Sequence, residues 1–330
     1  MRTHLKIKIK ILVLRFSSLG DVVMTIPVIK DLIKQNKKIE IVFVSQNIYS
    51  SLFEEIKKLK FYGINLKEYK NFFSIYSLFL NLKINNFDYI IDLHNVLRTR
   101  LLTFFFKITF KKVYTLNKGK REKKKLICKN NKNIKQLTSM HERYAEVFRK
   151  AGFNLKLNNI PIEIPKSIKY IGVAPFAKYD EKIYPLFKMK NIIYELAKNN
   201  KKIILFGKGK DEEKQLKIWE KLHSNIISIA GKFSLKKELK YIKYIDVLIS
   251  MDSSNMHLAS LVRTPCISIW GATHRYSGFL GFNQKAENCI ENNKILCRPC
   301  SVFGNRKCYI KNKKHCMHSI SEFEILKKIL

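Results

Sequence analysis

Apolar positions run in short blocks along this chain, and the spacing within them changes from block to block. Ile9 to Leu14 is an Ile- and Leu-rich run broken only by Lys10 and free of Gly and Pro, the signature of a buried parallel strand. A turn of small residues, Ser17-Ser18-Leu19-Gly20, follows it. After Asp21 the apolar residues Val22, Val23, Ile26, Ile29 and Ile33 recur at helical spacing. Strand, tight loop and helix make the unit around which the rest is arranged, because in an open parallel sheet such loops lie at the carboxyl ends of the strands, where ligands bind.

The pattern then repeats. Residues 39–44 read as a second strand, 47–59 as a helix, 72–84 as an apolar helix and 87–93 as a strand ending at His94-Asn95. Leu97 to Phe110 reads as a strongly apolar helix flanked by Arg98, Arg100, Lys107, Lys111 and Lys112. One of its faces is expected in the core. The alternative is an interfacial patch in which Phe104, Phe105 and Phe106 meet lipid headgroups inside a basic rim. Residues 118–135 are rich in Lys and Asn and read as a solvated loop. Residues 139–152 form an amphipathic helix between Ser139 and Gly152. A linker is expected across 153–168, which holds Pro161 and Pro165. From residue 169 strands and helices alternate again: strands at 169–175, 201–207, 226–231, 246–250 and 264–271, helices at 188–199, 211–222 and 234–244, and one carrying His257. Both halves therefore read as α/β, doubly wound parallel sheets, with domains at 1–160 and 161–330.

Composition adds a partner. The 330 residues carry 64 Lys and Arg against 26 Asp and Glu, a net charge of +38. Such an excess suits an anionic partner: nucleic acid, an acidic membrane surface or an anionic substrate. A Lys-, Ile- and Asn-rich composition throughout could equally arise from biased codon usage. The start runs into the first strand without a cleavage-type region, and no apolar stretch reaches spanning length. A cytoplasmic protein is expected, with most of its seven Cys as thiols or metal ligands.

The candidate chemistry lies on loops after strands. Asp21 can serve as a helix-start carboxylate, as a general base, or as both. There is no G-x-G-x-x-G after the first strand and no P-loop, so dinucleotide and ATP-hydrolysis readings lose support. Phosphate would instead sit in the second half. Lys178 and Lys182 lie in one loop there, Gly207 and Gly209 allow close backbone approach in another, and Asp252, Ser253 and Ser254 open a helix whose N–H groups can face an anion. Arg98 and Arg100, with His94 and Asn95, suit an acidic or phosphorylated ligand in the first half. His257 can be a donor contact or a core histidine. Cys297, Cys300, Cys308 and Cys316 could make a tetrahedral structural zinc site, although gaps of seven residues match no standard finger.

Four segments together resemble glycosyltransferase family 9, the lipopolysaccharide heptosyltransferases: SSLGDVVMTIP (17–27), DLHNVLRTRLL (92–102), GVAPFAKYDEKIYP (172–185) and the long block 230–273. The resemblance implies a GT-B fold with two domains facing a cleft. It also implies inverting transfer, without a catalytic metal, of a sugar from a nucleotide-activated donor, with heptose carried by ADP as the expected pair. The acceptor it implies is the lipopolysaccharide core or a related anionic glycolipid at the cytoplasmic side of the inner membrane, where the protein would be peripheral. By the same resemblance Asp21 stands at the position of the catalytic base. Lys182, Asp252, Ser254 and His257 stand at donor-site positions of the family; the loop positions add Lys178, Gly207 and Ser253 on the donor side and Ser18, Gly20, His94, Asn95, Arg98 and Arg100 on the acceptor side. Ser254 replaces the usual Gly, and Tyr184 the usual Trp. The final helix, 321–330, is expected to cross back to the first domain. Two other readings are a nucleic-acid-binding protein with a Cys-rich structural site and a non-catalytic nucleotide-sugar-binding relative. Dispersed rather than aligned basic residues count against nucleic acid.

Overall fold

The computed structural model describes residues 8–128, 134–308 and 315–330. The chain folds as two compact units: residues 1–118 with 140–158, and 119–139 with 159–330.

In the first unit, β1 (Ile9–Leu14), α1 (Leu19–Gln35), β2 (Ile39–Gln46) and β3 (Leu59–Ile64) are followed by α2 (Phe72–Lys83), β4 (Tyr89–Asp92), α3 (Leu97–Ile108) and β5 (Lys112–Thr115). The chain then forms α4 (Lys120–Leu126), which belongs with the second unit, and comes back as α5 (Met140–Lys150). The sheet is all parallel in the order β3-β2-β1-β4-β5. Strands covered on both faces must be apolar on both, and Ile11, Leu12, Val13 and Leu14 are all buried. Helix α2 closes one face with Ile75, Leu78, Phe79 and Leu82, spaced one helical turn apart, packed with Leu102, Phe105 and Phe106 of α3.

The second unit repeats the plan with β6 (Tyr170–Ala174), α6 (Leu186–Lys198), β7 (Lys202–Leu205), α7 (Lys210–Glu220), β8 (Ile226–Ser228), α8 (Leu235–Tyr244), β9 (Val247–Met251), α9 (Ser254–Leu261), β10 (Cys266–Trp270) and β11 (Cys289–Glu291). Two short helices follow, α10 (His315–His318) and α11 (Glu322–Leu326). Its sheet is parallel in the order β11-β10-β9-β6-β7-β8.

One device recurs. The residue just before β4, Asp88, accepts the N–H of Lys10 at 2.8 Å, and the residue just before β9, Asp246, accepts those of Lys169 and Tyr170 at 2.7 and 2.8 Å. Each carboxylate ties the amino-terminal ends of the two central strands of its sheet.

Several expectations change. The helix expected over 47–59 is a single 3₁₀ segment, Asn47–Leu52, followed by a turn and strand β3, whose Phe61 stacks on Phe53 just after the 3₁₀ segment. Strands β3, β5 and β11 were not expected; all three lie at an edge of their sheets, where the apolar run is interrupted by polar residues. The basic stretch expected as a loop holds α4, in which the ammonium of Lys123 lies 4.3 Å from the ring centre of Phe279; residues 129–133 of that stretch lie outside the described residues. Residues 119–128 and 134–139 belong with the second unit, as in the bond from Leu137 N–H to the Tyr276 carbonyl at 2.9 Å. The carboxyl-terminal helix, expected to reach the first domain, packs within the second unit. Ile325 and Ile329 join Met189, Ile192 and Ile193 in the core of the second unit, since its apolar face finds α6 there.

Candidate functional site

In a parallel sheet the loops at the carboxyl ends diverge where strand order reverses, leaving a crevice. The reversal falls between β1 and β4 in the first unit and between β6 and β9 in the second. Asp21 and His94 follow the first pair of strands; Lys182 and Asp252 follow the second.

The first unit gathers most of its candidates. Arg15, the first residue after β1, is buried and donates from Nη1 to the Leu93 carbonyl at 2.8 Å. Its other terminal nitrogen, Nη2, lies 2.6 Å from Asp21 Oδ2, which also accepts the Ser18 hydroxyl at 2.9 Å. The side chains are unequally exposed, 6% for Arg15 and 26% for Asp21, so the pair presents its carboxylate outward. Gly20 precedes Asp21 in the first turn of α1. Beneath them the Tyr144 ring lies 5.9 Å from the Arg15 guanidinium carbon, with its phenol held neutral by burial.

The β4 loop is built on Asp92. This buried carboxylate accepts the N–H groups of His94 and Asn95, each at 2.8 Å, through Oδ1. Burial raises its pKa and those two N–H bonds pull against the rise. Asn95 takes a left-handed φ of 49°, a conformation Asn tolerates, donates to the Leu116 carbonyl and accepts Arg100 Nε at 2.7 Å. His94 has its pKa lowered to about 3 by burial, with Arg15 and Lys118 adding to the effect. Its Nδ1 accepts the Phe16 N–H at 3.4 Å, which puts the proton on Nε2. Arg98 is half-buried and close enough to His94 to contribute to that shift. Sequence reasoning missed Arg15, Asp92 and Tyr144. A cation directly after an apolar strand was the available signal for the first.

In the second unit Lys182 Nζ lies 2.9 Å from Asp252 Oδ2, with side chains 14% and 8% exposed. Here the lysine side chain is slightly the more open member. Ser253 caps α9, its hydroxyl accepting the Asn255 N–H and pairing with Ser250 at 3.2 Å. Ser254 is the first residue of α9, and His257 lies buried one turn further on. Lys178 is exposed, its ammonium over the Tyr179 ring at 5.3 Å. Tyr184 is buried and donates its hydroxyl to the Ile320 carbonyl at 3.0 Å.

The glycine loop after β7 holds an anion, and that anion is internal. The N–H groups of Lys208 and Gly209 donate to Glu212 at 2.9 Å and Glu213 at 3.1 Å, both in the first turn of α7. Gly209 has φ +113°, while a Cβ on Gly207 would come within 2.7 Å of Leu216, so Gly207 serves packing. A phosphate would have to displace those carboxylates.

Structural zinc finds no support. Among the described residues no group of three or more His, Cys, Asp or Glu is placed to hold a metal ion. None of Cys297, Cys300, Cys308 and Cys316 is in a disulfide. Burial pushes the Cys316 thiol up to about 11, with Cys300 and Cys297 as smaller neighbouring causes. The segment is held by charge instead. The Glu291 carboxylate, at the end of β11, meets Arg275 at 2.9 Å, Arg298 at 3.0 Å and His274 at 3.5 Å. Arg298 also donates to the Thr273 and Asn292 carbonyls.

Comparison with known proteins bears on the family and the fold. Lipopolysaccharide heptosyltransferase 1 of Campylobacter coli is 25% identical, the match covering 97% of this chain and 98% of that protein. The E. coli heptosyltransferase WaaC, solved with ADP-2-deoxy-2-fluoro heptose, superposes with a TM-score of 0.67 at 17% identity, over 90% of this chain and 97% of that one. A family 9 glycosyltransferase from Veillonella parvula gives 0.71 at 16% identity, over 96% and 95%. The fold is thus GT-B, with two parallel-sheet α/β domains. The model of glycosyltransferase family 9 (heptosyltransferase) matches residues 75–309, and the chain belongs to that family of glycosyltransferases.

Proposed function

We propose that this protein transfers heptose from ADP-heptose to an anionic lipopolysaccharide-core acceptor, with inversion at the anomeric carbon and without a catalytic metal. The observation that carries the reading is the opposite exposure of two ion pairs. Arg15 is buried behind an accessible Asp21, and Asp252 is buried behind a more accessible Lys182. One switch point offers a carboxylate to a substrate and the other offers a cation.

The roles follow from that polarity. Asp21 accepts the proton of the acceptor hydroxyl as its oxygen attacks the anomeric carbon. The bond from that carbon to the diphosphate oxygen breaks, and its electron pair leaves with ADP. A single displacement inverts the centre. Lys182 and the first N–H groups of α9 stabilise charge on the departing diphosphate. Ser254 and His257 are donor-side neighbours by family resemblance, and Lys178 and Ser253 share the loops of Lys182 and Asp252; Gly207 keeps its packing role. Neutral His94 donates from Nε2, and Asn95, Arg98 and Arg100, with Ser18 and Gly20 at the start of α1, orient an acidic acceptor. Arg15 positions Asp21 through its simultaneous hold on the Leu93 carbonyl. No helix among the described residues is long and apolar enough to cross a membrane. By the family resemblance, a lipid-linked acceptor would be met at the inner-membrane surface, on its cytoplasmic side.

The test is ADP release and product mass with ADP-heptose and a water-soluble, deacylated core acceptor, for wild type and Asp21→Asn. Wild-type turnover that survives unchanged in Asp21→Asn removes Asp21 from the chemistry. No turnover with any ADP-sugar removes the donor assignment.

A further inference from the structure

The outward faces of α2 and α3 run against the usual pattern of a surface helix, which turns polar residues to solvent. On α2 the exposed residues include Phe73, Tyr76 and Leu80, at helical spacing along one side; on α3 they include Leu97, Phe104 and Ile108. Phe73 is 80% exposed and Phe104 53%. The two rows form one patch. Buried Phe105 lies 5.3 Å from Phe72, 5.1 Å from Tyr76 and 6.1 Å from Phe104, centroid to centroid, and Phe72 lies 5.8 Å from Phe73. Large exposed apolar patches on soluble domains mark interaction sites.

The surrounding charge identifies the partner. Lys70, Lys83, Arg100, Lys107 and Lys112 are exposed on or beside these helices. Between residues 69 and 112 the only acids are Asp88 and Asp92; the first is bonded to the Lys10 N–H and the second is buried. Neither α2 nor α3 contains an acidic residue. A second copy of the chain would bring the same cations and a net charge of +38 against them, which disfavours self-association. Aromatic and aliphatic side chains inside a rim of Lys and Arg instead match the interfacial zone of an anionic bilayer, where rings seat at headgroup depth and cations meet phosphate.

We infer that the α2–α3 face is the surface by which this protein sits on an anionic lipid bilayer. The inference deepens the proposal of a membrane-bound acceptor and rests on it for its biological setting, but its test requires no turnover. The measurement is co-flotation of the full chain with vesicles of phosphatidylethanolamine and phosphatidylglycerol, and with vesicles of phosphatidylcholine alone. Wild type is expected to bind the anionic vesicles at least ten-fold more tightly. The double variant Phe73→Ser, Phe104→Ser should lose at least ten-fold in binding, with an unchanged melting temperature and unchanged turnover of the water-soluble acceptor. Lys83→Gln with Lys107→Gln should weaken binding at low salt and shift it little at 0.5 M salt, where charges are screened within a few Å. Equal anionic-vesicle binding by wild type and the Phe variant overturns the inference. So does a wild type that ignores vesicles but dimerises through Phe73, seen by light scattering. Turnover of the soluble acceptor, measured in the same preparations, reports separately on the catalytic reading.

Discussion

The two units solve one problem with opposite polarity. Each has a parallel sheet whose strand order reverses at its centre, and each places an ion pair on the loops at that reversal. In the first unit the guanidinium of Arg15 is buried and the carboxylate of Asp21 faces out. In the second the carboxylate of Asp252 is buried and the Lys182 side chain is slightly the more open member. A buried charge without its partner is costly, so in each pair the inner member fixes the outer one. Fold alone would not tell acid from cation at the two positions; the identity of the outer residue does.

The sharpest way to break this contrast is Asp21→Asn. It keeps shape and removes the acceptor of the proton, so kcat should fall by about 10²–10⁴, the usual worth of a general base, with little change in melting temperature. Lys182→Met attacks the other pole. Losing a charge-assisted bond should weaken ADP binding by roughly ten- to hundred-fold by calorimetry. It also leaves Asp252 buried without its cation, which should lower stability by about 1–3 kcal/mol in urea melts. Arg15→Lys retains the charge but not the two-pronged hold on Asp21 and Leu93. A fall of roughly ten-fold in kcat, with an unchanged KM for donor, would mark Arg15 as a positioning residue.

Smaller effects sharpen the comparison. His94 has its imidazole pKa depressed to about 3 in the fold, so below about 6.5 the unfolded chain binds a proton that the folded chain does not. The stabilisation is complete above that pH and is lost as pH falls toward the folded value. Urea midpoints should therefore drop between pH 7 and pH 4, and His94→Gln should flatten the drop by on the order of 1 kcal/mol, a figure reduced for the partial exposure of the ring. The smallest change is Ser254→Gly. Removing the side chain at the head of α9 should alter ADP affinity only a few-fold while costing about 0.5–1 kcal/mol in helix stability.

Much of this was legible in the chain. Short apolar runs alternating with helical spacing gave parallel sheets in both halves, because strands covered on two faces have little freedom in composition. The loops after β1, β4, β6 and β9 were identified from Asp21, His94, Lys182 and Asp252 for the same reason. What was hidden is tertiary. Arg15 is a cation beside a core strand, and only its Asp21 and Leu93 partners explain it. Gly207-Lys208-Gly209 looks open to phosphate until Glu212 and Glu213 fold back onto it. The four cysteines suggest zinc by spacing, while the segment is tied down by Arg298 and Glu291. Residues 119–139 reveal their allegiance only through contacts with partners such as Tyr276 and Phe279, far along the chain.

The carboxylates of Asp88 and Asp246 act at the far ends of the central strands from all this chemistry. Because alignment is secured from below, sequence change in the upper loops need not let one strand slide past its neighbour, a slip that would shift the paired loops by about 3.3 Å per residue. Substrate preference could therefore drift in this scaffold while its foundations stay in place. Loop grafts between relatives should succeed more often when these two aspartates are kept.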